Sequence, residues 1–119
     1  MVTEGFASAF AAKWAASWNS RNINDIMSHY SEDFTIESPM ALKLMPQSKG
    51  VITGKSSVKA YWEIGLAKIP DLHFTVLDVL IGINSLTIYY VNIATGKKSA
   101  ENLFFNSEGK VYRAFVMYA

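Results

Sequence analysis

Among the residues able to move a proton, Glu101 lies in the strand-like run Lys98 to Asn106, where alternation sets it on one face with Ser99, Leu103 and Phe105. If that face lines a pocket, burial raises the carboxyl pKa and makes Glu101 a general acid or base; if it faces solvent, Glu101 is a surface carboxylate for a nearby Lys or Arg. On the preceding run, Tyr90 and Asn92 share a face with Leu86 and Ile88. A few hydrogen-bonding groups among apolar ones suit a site that orients a mostly hydrophobic molecule, although Tyr90 as core and Asn92 as partner of a neighbouring strand give the same pattern. Trp14, Trp18, Tyr61 and Trp62 come from two helical stretches and serve either as core filling or as a wall on which a planar or ring-shaped ligand stacks. Tyr112 and Tyr118, at one parity of the last strand, would add hydroxyls to the same wall.

Other chemistries lack their residues. His29 and His73 stand far apart with no carboxylate at a ligand spacing, so no metal site is expected. Neither GxGxxG nor GxxxxGK[ST] occurs, nothing ties a serine to either histidine, and no cofactor is expected. The absence of cysteine removes thiolate metal sites, cysteine nucleophiles and disulfides. Asp33 and Glu37 read as exposed or structural acids. Eleven Lys and Arg against ten Asp and Glu leave a net charge of +1 without a basic block, which gives nucleic acid no footprint. Lys97-Lys98 reads as the solvated end of a hairpin. No run of about 18 apolar residues is present to span a membrane. Glu4 and the broken apolar pattern after it do not make a secretory signal, so the expected compartment is the cytoplasm.

The elements that must position these residues follow from period. Phe6, Phe10, Trp14 and Trp18 recur every four residues along one side of a first helix. Asn19 to Asn22 interrupts it, and Asn22 caps a second helix that buries Ile23, Ile26, Met27 and Tyr30. Phe34 and Ile36 alternate with Thr35 and Glu37 in a short strand that Pro39 stops. Residues 40 to 53 show no sustained period and read as a long loop. Thr53-Gly54 opens a third helix with Val58, Tyr61, Trp62 and Gly65 on its buried side, ending before Pro70. From Leu72 onward the pattern is strands, Leu72 to Ile81, Leu86 to Ala94, Lys98 to Asn106 and Val111 to Tyr118, joined by short Gly-containing turns. With 119 residues, one domain over 1–119 is expected. Its class is α+β, a curved mixed or antiparallel sheet with three helices of the N-terminal half packed on its concave face.

The passage Ile23-Asn24-Asp25-Ile26-Met27, then Tyr30-Ser31-Glu32-Asp33-Phe34-Thr35-Ile36-Glu37-Ser38-Pro39, resembles the nuclear transport factor 2-like superfamily in its SnoaL-like and ketosteroid-isomerase-like branch. Thr53-Gly54 before a helix and Phe105 to Val111 between the last strands continue the likeness over nearly the whole chain. The resemblance implies a cystatin-like cone with a pocket for a small hydrophobic molecule, and an isomerase, cyclase or dehydratase working by proton transfer. The same fold hosts proteins that only bind, so a non-catalytic ligand-binding or dimerisation module is the alternative. In ketosteroid isomerases an Asp before the proline moves the proton, while a Tyr of the first helix and a protonated Asp of a late strand hold the enolate oxygen. The matching positions here are Ser38, Trp14 and Glu101. Two of the three have changed type, so classical ketosteroid isomerisation does not carry over, and Ser38 and Glu101 remain as catalytic candidates. Arg113, Phe115 and Met117 leave the second sheet face substantially apolar as well. Members of the superfamily pair through that face, which implies a homodimer.

Overall fold

A computed structural model describes residues 1–119. Helix α1 (Glu4–Ser20) begins where the Thr3 hydroxyl accepts the Phe6 amide N–H, and it buries Phe10, Trp14 and Trp18 as its four-residue period requires. Asn22 caps α2 (Ile23–Met27) by accepting from the amides of Asn24 and Asp25. Strand β1 (Tyr30–Glu37) follows.

Residues 40 to 53 are more ordered than their lack of period suggests. They contain most of a short helix α3 (Pro39–Leu44), a 3-10 turn (Pro46–Ser48) and the three-residue strand β2 (Val51–Thr53). Ser38 caps α3 through Met40 N and Pro39 occupies its first turn, a cap-then-proline start that was legible but too short to generate a period. Helix α4 (Lys55–Lys68) starts at Gly54, whose φ of 95° is open to glycine at little cost. It buries Val58, Tyr61, Trp62 and Leu66, so the helices number four.

Four strands complete the chain: β3 (Phe74–Ile81), β4 (Ser85–Asn92), β5 (Lys97–Phe105) and β6 (Val111–Tyr118). The sheet order is β2-β1-β6-β5-β4-β3. All neighbours are antiparallel except β1 and β6, which run parallel and make the sheet mixed. Alternation holds as expected on β4, where Leu86, Ile88, Tyr90 and Asn92 are buried, and on β5, where Ser99, Glu101, Leu103 and Phe105 are buried.

Two single-residue bulges bend this sheet, and the β1–β6 pairing also shifts register between Tyr30 and Thr35. Leu77 is the extra residue between the Val76–Tyr90 and Asp78–Tyr89 pairs, and Tyr112 the extra one between the Phe105–Val111 and Phe104–Arg113 pairs. Because the second bulge shifts the alternation of β6, Ala114 and Val116 turn inward while Tyr112 is left 41% exposed, outside the wall that parity alone assigned it to.

The end of α1 and the turn after it do tertiary work that their composition does not disclose. Asn19 donates from Nδ2 to Phe74 O at 3.0 Å and accepts the Phe74 N–H at 2.7 Å, filling the place of a neighbouring strand at the sheet edge. Arg21, in the left-handed region at φ 63°, donates to the carbonyls of Leu66 and Ile69 at the end of α4. No helix is long and apolar enough to cross a membrane. Replacing Asn19 by Ala removes two hydrogen bonds from the start of β3 and is expected to destabilise the protein by about 2 kcal/mol in urea unfolding. Hydrogen exchange of the Phe74 amide should quicken in this variant; unchanged protection there would contradict the edge-clamp role.

Candidate active site

Between the concave face, α3 and α4 lies a cavity of about 540 Å³. That volume falls in the range of small-molecule sites. Trp18, Tyr61 and Trp62 reach it from the helices, Ile36 and Ser38 from the end of β1, Tyr90 and Asn92 from β4, Ser99 and Glu101 from β5, and Tyr118 from β6. Trp18 and Trp62 meet edge to face at 5.1 Å, so neither ring is free to swing. Exposed residues of α3, of the last turn of α4 and of the β4–β5 turn frame the mouth.

Glu101 sits at the hydroxyl-rich end. It is 8% exposed and accepts the Tyr90 hydroxyl at 3.0 Å on Oε1. Burial lifts its carboxyl to about 7 and the Tyr90 hydrogen bond pulls the other way, with no cation offsetting the desolvation. The phenols around it move in the same sense. Burial, then the Glu101 charge, raises Tyr90 well above the ordinary phenol value. Tyr61 is pushed up to about 12 by burial, opposed by the Ser38 hydroxyl and assisted by Glu101. Tyr118 is 38% exposed as a residue, yet its hydroxyl end is shielded, and burial followed by Glu101 raises it while Ser38 lowers it. Ser38, Tyr61 and Tyr118 therefore form a cluster of hydroxyls close to the carboxyl. All three phenols stay protonated at neutral pH; Tyr90 donates to Glu101, and Tyr61 and Tyr118 are available to donate.

The remaining residues singled out in the sequence divide clearly. Asn92 is on the wall, but its Oδ1 is occupied by the amides of His73 and Ala94, at 3.3 and 3.1 Å. Ser38 is on the wall as well, 2% exposed, with its oxygen accepting Met40 N as the cap of α3. Trp14 is not on the wall. It stacks on Phe74 at 5.5 Å and meets Tyr90 edge-on at 5.0 Å, so these two rings stand between it and the cavity. Its N–H is given to the Tyr30 hydroxyl at 3.2 Å, which corrects its reading as a ligand-binding donor. The Trp18 N–H approaches the same hydroxyl without making a hydrogen bond. His29 pairs with Ser17 at 3.0 Å, His73, Asp33 and Glu37 are not on the cavity wall, and no three His, Asp or Glu side chains gather in one place.

Sequence reasoning missed Phe74, Met40, Leu44 and the lysines of the mouth. Phe74 was legible as an inward position of β3; Met40 and Leu44 required α3, whose start at Ser38-Pro39 was the available signal.

This geometry is that of a known family. The SnoaL-like domain family model matches residues 11–117. The chain belongs to the SnoaL-like domain family. A SnoaL-like protein from Burkholderia thailandensis is 36% identical to it, with a TM-score of 0.94 over 99% of this chain and 98% of that one. Two more distant structures share the fold alone. One is a cystatin-like-fold protein from Methylobium petroleophilum, 12% identical, TM-score 0.77, covering 99% of this chain and 78% of its own. The other, from Catenulispora acidiphila, has a ketosteroid isomerase-like fold in complex with trimethylamine; it is 20% identical, TM-score 0.70, covering 91% of this chain and 83% of its own. No curated protein matches the sequence.

The raised carboxyl of this SnoaL-like protein has a measurable cost. Since the folded pKa of about 7 lies above the free value of 4.5, the unfolded chain releases this proton first. The contribution of Glu101 to stability is complete below about pH 4.5, falls as pH rises through 7 and stays reduced above it, by on the order of 3 kcal/mol. Glu101→Gln should accordingly raise the melting temperature at pH 8 relative to the parent and give no gain at pH 4. Thermal melts at the two pH values check this, and an equal gain at both would assign the effect to something other than the charge.

Proposed function

We propose that the cavity binds a small hydrophobic or ring-shaped carbonyl compound and that Glu101 moves a proton on it, as an isomerase, cyclase or dehydratase does. One observation carries this reading: a carboxyl buried on the cavity wall, held near neutral pKa, with no cation to offset its burial. A fold does not retain such a group for stability, because an apolar residue there would cost less. In the ionised form Glu101 takes a proton from the carbon beside the carbonyl; the C–H electron pair moves into the carbonyl, and its oxygen gains negative charge. Hydroxyls of the Ser38, Tyr61 and Tyr118 cluster donate to that oxygen, preorganised by the packed walls. The protonated carboxyl then returns the proton at a second carbon, or to a departing hydroxyl, and is ionised again. Tyr90 holds the carboxyl in place through its hydrogen bond and is a positioning residue.

The competing reading is a binding module without turnover, favoured by the commitment of the Ser38 oxygen to capping α3. α-Proton exchange of 2-tetralone in heavy water, followed by NMR, separates the two. Exchange faster than in buffer, increasing as pH rises through about 7 and lowered roughly 10²–10⁴-fold by Glu101→Gln, is the expected outcome. Binding of the ketone with exchange no faster than in buffer would favour the module.

The outer sheet face supports the second half of the proposal, a homodimer. Phe104 and Phe115 lie with ring centroids 5.8 Å apart under the Arg113 guanidinium, and Met117 beside them is 57% exposed. No helix covers this side of β4, β5 and β6, and a second copy would bury it. Sedimentation at micromolar concentration should give twice the 13.2 kDa of one chain, and Phe115→Glu should return it to that mass. A parent protein that sediments as a monomer would contradict the dimer.

A further inference from the structure

Charge is distributed unevenly over the cavity. Glu101 is the one acidic side chain on its wall, buried beside Tyr90 and Ser99, whereas Lys43, Lys68 and Lys97 stand exposed where it opens and outnumber the one anion there, the α-carboxylate of Ala119. They arrive from three elements, the end of α3, the last turn of α4 and the first residue of β5, so no local run of sequence brings them together. Helix C-termini favour a cation, which accounts for Lys43 and Lys68 singly but not for Lys97 on a strand. The chain as a whole is nearly balanced, with a net charge of +1. Lys110 donates from its amine to Ser28 O, whereas the three amines at the mouth make no hydrogen bond within the chain.

We infer that the ligand is an apolar ring compound carrying a carboxylate, with its ring packed against Trp18 and Trp62 and its carboxylate among the three lysines. This rests on the cavity being the binding site, as proposed above. Three considerations fix the orientation. A carboxylate driven to the far end would lose its water and meet the charge of Glu101. At the mouth it stays hydrated and is attracted by three cations whose flexible stems can follow it without a preset geometry. A field of one sign at a low-dielectric opening also draws in ligands of the opposite sign and turns them charged end outward. The carbonyl end is then delivered to Glu101, which defines the substrate class as ring-containing oxo acids.

Isothermal titration calorimetry with 2-naphthoate, the neutral 2-naphthamide and 2-naphthylmethylammonium tests this, at about 0.01 M and about 1 M salt. At low salt the acid is expected to bind about tenfold tighter than the amide, and the ammonium compound most weakly. The advantage of the acid should vanish at high salt and in the triple variant Lys43→Gln, Lys68→Gln, Lys97→Gln. Unchanged amide affinity in that variant shows that its cavity is intact. Equal binding of acid and amide, or an advantage that survives the triple substitution, overturns the inference and leaves the cavity as a binding site. Failure of all three compounds to bind overturns both.

Discussion

The contact on which fold and site jointly depend is that of Trp14 with Phe74 and Tyr90. One ring of α1 stacks on the first residue of β3 and meets the third inward residue of β4 edge-on. This fixes how α1 lies across the sheet, and Asn19, one turn further on, then reaches the backbone of Phe74. It also holds the Tyr90 ring, whose hydroxyl is the hydrogen-bond partner of Glu101. The position that in ketosteroid isomerases bears a substrate-facing phenol thus bears, in this chain, the buttress of a different phenol.

Desolvation is the second organising fact. The cavity wall is mostly apolar, and inward of the lysines at its mouth its polar side chains are hydroxyls, an amide and one carboxyl. Hydroxyls solvate a carboxylate less well than water does, so burial raises Glu101 despite the opposing Tyr90 hydrogen bond, and burial together with the Glu101 charge raises the phenols. The outcome is a carboxyl that exchanges its proton near neutral pH inside a wall of phenols that do not. Acid and base capacity is concentrated on one residue, and the surrounding donors keep their protons.

Much of this was legible in the sequence, for reasons that can be stated residue by residue. The four-residue spacing of Phe10, Trp14 and Trp18 and the alternation of Leu86 to Asn92 and Ser99 to Phe105 report on burial directly, because each element presents one face to a single core, while Phe6 at the start of the same row stays exposed. The same alternation grouped Glu101 with Ser99, Leu103 and Phe105, but whether that face met a pocket or solvent was decided only by the helices packed over it. What escaped depends on contacts or on lengths too short for a period. Helix α3 has six residues and β2 three, less than any periodic signal needs. Trp14 had the expected burial, but whether a buried ring lines a cavity or backs its wall is decided by the residues in front of it, here Phe74 and Tyr90, which arrive from distant strands. Lys97 read as a solvated hairpin end, which it is; its place at the mouth arises only when α3 and α4 close from the other side.

The bulge at Tyr112 acts on β6 like a frameshift on a message. Every side chain after it is read onto the opposite face, so Val116 and Tyr118 reach the interior while Phe115 and Met117 are presented outward. Draw that residue into the regular ladder instead of leaving it outside, and the strand would send a phenyl ring and a thioether into the chamber and turn the phenol of Tyr118 to the solvent. Lining and exterior are therefore not independent in this architecture: whether one residue stands outside the ladder or within it trades one for the other, without altering the order of any strand.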